Sequence, residues 1–178
     1  MQLDLTRYRQ PLSHFARTFQ PQDVAQHEQE DAFRIVAPVD VDFDIHKDKD
    51  RFRLAGTART ELELDCGRCL EPFRIPFDGT FDLRYLPESA ATGEGEREVS
   101  EDDLDTSFYR DDQIDLSEVL REQFYLALPM KPLCKETCAG LCPQCGTNLN
   151  AEMCACVPQV EDPRLAPLKG LARPPRET

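Results

Sequence analysis

From Phe33 the chain alternates, with Ile35, Ala37, Val39, Val41, Phe43 and Ile45 apolar and mostly polar residues between them. A period of two is that of a strand with one buried face. Pro38 cannot donate to a ladder, which places an edge or a bulge within this strand. After a polar turn at 46–50 the alternation resumes with Phe52, Leu54 and Gly56, and Leu62 and Leu64 then lead into Cys66. Phe73, Ile75 and Phe77 follow, Asp78-Gly79 reads as a hairpin turn, and Phe81, Leu83 and Tyr85 continue on its far side. The pattern predicts an antiparallel meander.

The period changes at Asp115. Asp115-Leu116-Ser117-Glu118 has the form of a capping box, after which Leu116, Val119, Leu120, Phe124 and Ala127 share one helical face. Pro129 ends that helix, and its apolar stripe is expected to pack across the sheet. Near the end of the chain Asp162 stands as an N-cap with Pro163 at the first helical position, and a short helix there would bring Leu165, Leu168 and Leu171 together. Arg164, Lys169, Arg173 and Arg176 make this the most basic piece of the chain, to be read as a fraying terminal helix or as a docking peptide.

Charge changes the picture of possible partners. The 178 residues carry a formal net charge of -13, which weighs against unaided binding to phosphate backbones. Much of it lies between Glu88 and Glu118, where Glu94, Glu96, Glu98, Glu101, Asp102, Asp103, Asp105, Asp111 and Asp112 face few cations. The segment 88–105 has little periodicity and reads as a flexible acidic insertion, either a solvated loop or a grip for a basic partner. The first residues lack the apolar stretch of a signal peptide, and no run approaches the roughly 20 apolar residues of a membrane span. A cytoplasmic protein without a membrane association is expected.

The cysteines carry the most specific chemistry. Six of the eight fall in Cys134-Lys-Glu-Thr-Cys138-Ala-Gly-Leu-Cys142-Pro-Gln-Cys145 and Cys154-Ala-Cys156, and the other two in Cys66-Gly-Arg-Cys69. Closely spaced thiolates can close on one tetrahedral ion, and in a reducing compartment they are metal ligands more often than disulfides. Two partitions are compatible with the spacing. One places Cys142, Cys145, Cys154 and Cys156 in a knuckle and Cys66, Cys69, Cys134 and Cys138 in a second site that ties the sheet to the segment after the helix. The other closes one site within the C-terminal run and leaves the upstream pair free. The first is preferred because no thiolate is left without a role. One or two structural zinc ions are expected, since four sulfurs leave no open position for a reacting water. Arg68, between the upstream pair, is expected to point outward, either stabilising the thiolates or simply solvated. His14, His27 and His46 lie in polar surroundings, and no phosphate loop or nucleophile elbow accompanies them.

The expected fold is α+β: an antiparallel β-sheet or partly closed barrel packed against one main helix, with a C-terminal zinc-knuckle segment and a short terminal helix. The boundaries drawn are 1–130 for the core, 131–160 for the cysteine-rich segment and 161–178 for the terminal helix and tail.

Cys66-Gly-Arg-Cys69-Leu-Glu-Pro, Leu128-Pro-Met-Lys-Pro-Leu-Cys134-Lys-Glu-Thr-Cys138-Ala-Gly-Leu-Cys142-Pro-Gln-Cys145-Gly-Thr-Asn-Leu-Asn and Asp162-Pro-Arg-Leu-Ala-Pro-Leu, in that order, resemble the bacterial YceD family. The resemblance runs from about Phe33 to Leu171. It implies a small cytoplasmic protein linked to accumulation of large-subunit 23S ribosomal RNA, with relatives in chloroplasts and no catalytic residues to carry over. A non-enzymatic accessory factor for large-subunit biogenesis is therefore expected. Its partner would be a ribosomal protein or pre-ribosomal particle, with 23S RNA contacted indirectly and no small-molecule substrate. The alternatives are a cysteine-dependent redox or RNA-processing enzyme, which needs a reactive thiol, and a zinc-ribbon nucleic-acid module, which needs basic and aromatic residues near Cys142 to Cys156.

Overall fold

From Val39 to Ile45 every second side chain is buried and its neighbours are exposed, so this stretch must lie with one face on a core and the other in water. The computed structural model describes residues 1–24, 32–90 and 106–156. In chain order they form β1 (Gln2–Asp4), a 3-10 turn (Leu5–Arg7), β2 (Leu12–Phe19), α1 (Pro21–Val24), β3 (Arg34–Ile35), β4 (Val39–Asp48), β5 (Arg51–Asp65), β6 (Pro72–Pro87), a second 3-10 turn (Glu88–Ala90), β7 (Thr106–Tyr109), β8 (Gln113–Asp115) and α2 (Leu116–Ala127). The predicted terminal helix at 161–178 and residues 91–105 of the acidic insertion lie outside the described residues, as does His27.

The main sheet has the order β2-β4-β5-β6-β7, with β3 also paired to β5. It is open, so the barrel alternative is not realised. Its antiparallel frame is the hairpin of β5 and β6, whose register runs from Phe52↔Tyr85 to Asp65↔Pro72. The alternating stretch from Phe33 divides in two, because β3 and β4 both run along β5 and break at Pro38. The Val36 N–H and the Ala37 carbonyl hold that break to Glu61 and Thr60.

Two expectations are corrected. Asp78-Gly79 is not a turn: both residues lie inside the continuous strand β6, opposite Arg59 and Ala58. The glycine serves packing instead, since a Cβ there would lie 2.4 Å from the tip of the Phe77 ring, which folds back over it. The meander is also not wholly antiparallel, because β7 joins β6 in parallel, Arg84 to Thr106 through Pro87 to Tyr109. Parallel neighbours cannot be joined by a tight turn and need a return connection of a dozen residues or more. The acidic segment 88–105 makes that connection.

A second layer closes the inner face. Asp115 caps α2 by accepting the Ser117 N–H at 2.9 Å, and the helix ends where Leu128 turns extended before Pro129. Phe124 of α2 is fully buried and meets Phe77 and Phe33 edge to face, with centroids 4.8 and 5.8 Å apart. Ala127, expected on the buried stripe, is exposed, while Ser117 is buried. A two-stranded ribbon of β1 and β8 extends this layer and adds Leu3 and Ile114 to the core. Among the described residues no helix is long and apolar enough to cross a membrane.

Candidate metal centres

The β5–β6 hairpin ends in a loop that carries the upstream cysteine pair. Cys66 donates its N–H to the Glu71 carbonyl at 3.0 Å, and Leu70, at φ 61, donates to the Cys66 carbonyl at 2.9 Å. These bonds bring the Cys66 and Cys69 sulfurs to the same side of the loop. The segment after α2 crosses this tip, fixed by Gly67 N–H to the Pro132 carbonyl at 2.8 Å and Leu141 N–H to the Arg68 carbonyl at 3.1 Å. Gly140 makes the second contact possible. Its φ is 77, and a Cβ would stand 3.1 Å from the Arg68 carbonyl oxygen.

The eight sulfurs form two groups of four, Cys66 with Cys69, Cys134 and Cys138, and Cys142 with Cys145, Cys154 and Cys156. Within each group all four lie within 4.8 Å of one another. Cys66 and Cys138 are 3.8 Å apart and Cys69 and Cys134 3.7 Å. Sulfurs placed tetrahedrally around an ion at zinc–thiolate distance stand about 3.8 Å apart, so this spacing suits a four-thiolate site. The membership is that of the preferred partition. Either group could hold a metal ion.

The two groups differ in shielding. Cys66, Cys69 and Cys138 are buried in a small apolar cluster with Phe73, Leu133 and Leu141 packed against it, and Cys134 reaches the surface. In the second group Cys142 is buried, Cys154 and Cys156 are half-buried and Cys145 is exposed. The turn of the second group closes through Gly146, at φ 75, whose N–H meets the Cys142 carbonyl at 2.9 Å.

The thiols pull one another apart in acidity. Backbone N–H groups of Cys69 and Cys134 lower the Cys66 thiol to about 6, while burial and the neighbouring Cys69 push Cys134 up to about 12. Hydrogen bonds from the Thr147 hydroxyl and N–H lower Cys145 to about 6, and Cys145 in turn pushes Cys156 up to about 12. Four thiolates packed this closely repel. A divalent cation at the centre removes the conflict.

Two supporting residues escaped the sequence reading. Asn150, on the loop between the halves of the second group, donates its side-chain N–H to the Cys138 sulfur at 3.2 Å and accepts the Ala139 N–H at 2.9 Å. It therefore spans from one centre to the other. Asn148 accepts from both the side chain and the backbone of Asn150, at 2.9 and 3.0 Å. Asparagine spaced between cysteines was the available signal. Arg68 does not simply point into solvent: its guanidinium donates to the Cys138 carbonyl at 2.9 Å and latches the two cysteine segments together. His14 lies far from the sulfurs in the chain and sits on the outer sheet face, 3.0 Å from Asp44.

Comparison with known proteins places this architecture. Large ribosomal RNA subunit accumulation protein YCED homolog 1, chloroplastic, of Zea mays is 29% identical over 157 residues, which is 75% of this chain and 53% of the maize protein. Its Arabidopsis thaliana counterpart is 29% identical over 155 residues, 75% of this chain and 48% of that protein. An uncharacterized protein of Mycobacterium tuberculosis is 32% identical over 143 residues, 80% of this chain and 66% of the relative. The chain thus spans about half the length of the plant relatives. No solved structure matches. Residues 54–172 match the family described as large ribosomal RNA subunit accumulation protein YceD, a span that includes all eight cysteines, and the chain belongs to that family.

Proposed function

We propose that this protein is a non-enzymatic accessory factor for accumulation of 23S ribosomal RNA and biogenesis of the large ribosomal subunit, acting in the cytoplasm through a ribosomal protein or an RNA–protein intermediate. The observation that carries the reading is membership of a family described by large ribosomal RNA accumulation. The eight cysteines support the non-enzymatic part. Cys66, Cys69, Cys134 and Cys138 hold one structural zinc ion, and Cys142, Cys145, Cys154 and Cys156 hold another. Each set supplies four sulfurs, which fills a tetrahedral ion and leaves no position for a substrate or an activated water. The net charge of -13 favours a basic protein over naked RNA as the direct contact. An acidic surface would shield basic segments until they meet RNA.

Pull-down of the tagged chain from growing cells tests the partner, and recovery of neither a ribosomal protein nor precursor RNA would count against it. Native mass spectrometry of protein purified without added metal tests the centres. Two zinc ions per chain are expected, falling to one in a Cys66→Ser/Cys69→Ser variant. The enzymatic alternative rests on the exposure of Cys134 and Cys145. It would gain if either thiol reacted rapidly in native protein with and without chelator alike.

A further inference from the structure

At the end of the β5–β6 hairpin opposite Cys66 and Cys69, a cavity of about 610 Å³ opens between α2 and strands β6 to β8. Tyr85 forms part of its wall and is only 6% exposed, yet its hydroxyl makes no hydrogen bond among the described residues. Among the described residues no buried side-chain polar atom is sealed away without a partner, so that hydroxyl opens on the cavity. Glu118 and Glu122 line the same cavity from successive turns of α2. Like charges at this spacing weaken a helix, and neither glutamate forms an ion pair among the described residues. Both face Tyr85 closely enough to raise its phenol above the ordinary range, after burial itself. Among the described residues the one cation on the wall, Arg110, is paired with Glu88. Phe108, 49% exposed, stands at the rim.

We infer that this cavity is a binding site for an arginine side chain of a basic protein partner. A guanidinium presents five N–H donors in a plane, enough for both carboxylates and the Tyr85 oxygen, and its face stacks on an aromatic ring such as Phe108. A divalent cation is a poorer match. It wants six or more oxygens, whereas no third carboxylate or imidazole among the described residues joins Glu118 and Glu122 within ligand distance. The site rests on the basic-partner reading above and names where that partner is gripped.

The test is calorimetric titration of the full chain with a capped Gly-Arg-Gly-Arg-Gly peptide and with the same peptide carrying citrulline, which keeps the shape and removes the charge. The arginine peptide is expected to bind about tenfold more tightly, the worth of one charge-assisted hydrogen bond. A Glu118→Gln/Glu122→Gln variant is expected to lose that preference while keeping its thermal midpoint or raising it. Equal affinity for the two peptides, or a preference that survives in the variant, overturns the site. So does competition by millimolar magnesium or calcium that abolishes the preference in buffer of constant ionic strength. Pull-down with the same variant separates this site from the broader reading. A ribosomal partner retained by the variant sinks the cavity alone, whereas an empty pull-down by the wild-type chain sinks the basic-partner reading and leaves the peptide preference to be judged independently.

Discussion

At the scale of single residues, the neighbourhood of Glu122 makes a pH-dependent prediction. Burial, and then the charge of Glu118, raise its carboxyl above the ordinary glutamate value. A folded-state pKa raised above the unfolded one means that the folded chain holds its proton longer, so the contribution is favourable in acid and is lost as pH rises through the folded pKa. Glu122→Gln should therefore raise the thermal midpoint at pH 7, and the difference from wild type should vanish near pH 4, as melting curves at the two pH values would show. Gly140 sets a second residue-scale expectation. Alanine there must hold φ 77 and press on the Arg68 carbonyl, at a cost of about 1 to 2 kcal/mol readable in the urea midpoint. Asn150→Ala removes the donor to the Cys138 sulfur. If a metal ion occupies the first sulfur group, its affinity should fall about tenfold in the variant, measured by competition with a chromophoric chelator, the usual effect of losing an outer partner of a ligand.

At the scale of elements, the sheet depends on places where a side chain has been given up. Gly56 lies between Phe43 and Phe81 in the register, and a Cβ on it would sit 2.2 Å from the Asp42 carbonyl and 2.3 Å from the Phe43 Cβ. Gly56→Ala must push β4 off β5, and a loss of about 3 kcal/mol is expected in denaturant unfolding. On the helix, Phe124→Ala removes the fully buried ring that meets Phe77 and Phe33, which should cost about 4 kcal/mol by the same measurement. The β7–β8 connection carries strain of a different kind. Asp111 and Asp112 both take positive φ, 50 and 54, in the tight turn closed by the Gln113 N–H on the Arg110 carbonyl. Asparagine and glycine are the residues this turn prefers, and Asp111 lies on the wall of the cavity proposed to take arginine. Asp111 thus places a carboxyl group on that wall at the expense of turn geometry.

At the scale of the molecule, the long hairpin of β5 and β6 works as a mast. One end carries Cys66 and Cys69 and receives the cysteine-rich segment, and the other brings Tyr85 to the proposed arginine site. If zinc occupies the centres, its removal should loosen the segment from Cys134 onward while the sheet core stays folded, because that core is built from aromatic and aliphatic side chains distinct from the sulfur cluster. Hydrogen exchange before and after treatment with a strong chelator checks this: amides such as Gly67, Leu141 and Gly146 should lose protection, and those of β4 should keep it. The outer sheet face plays a lesser part in stability. Its cross-strand ion pairs, such as Arg59 with Asp78 and Arg34 with Asp65, both at 3.1 Å, are exposed and contribute little individually.

The amino-acid sequence by itself determined the strand period through Ile45, the capped helix from Leu116 and the spacing that makes the cysteines candidate ligands. These are local properties, set by which way successive side chains point and by which residues can turn the chain. Only the tertiary structure decided that Gly79 packs under Phe77 instead of turning the chain, that β7 runs parallel, and that Asn150 reaches the first sulfur group. It also decided which sulfurs meet, since Cys66 and Cys138 are 72 positions apart and spacing had allowed two partitions. The physical reason is common to all of these. Local periodicity says which face of an element is apolar, but contact across the fold depends on where loops end in space, and that is settled by packing the whole core at once.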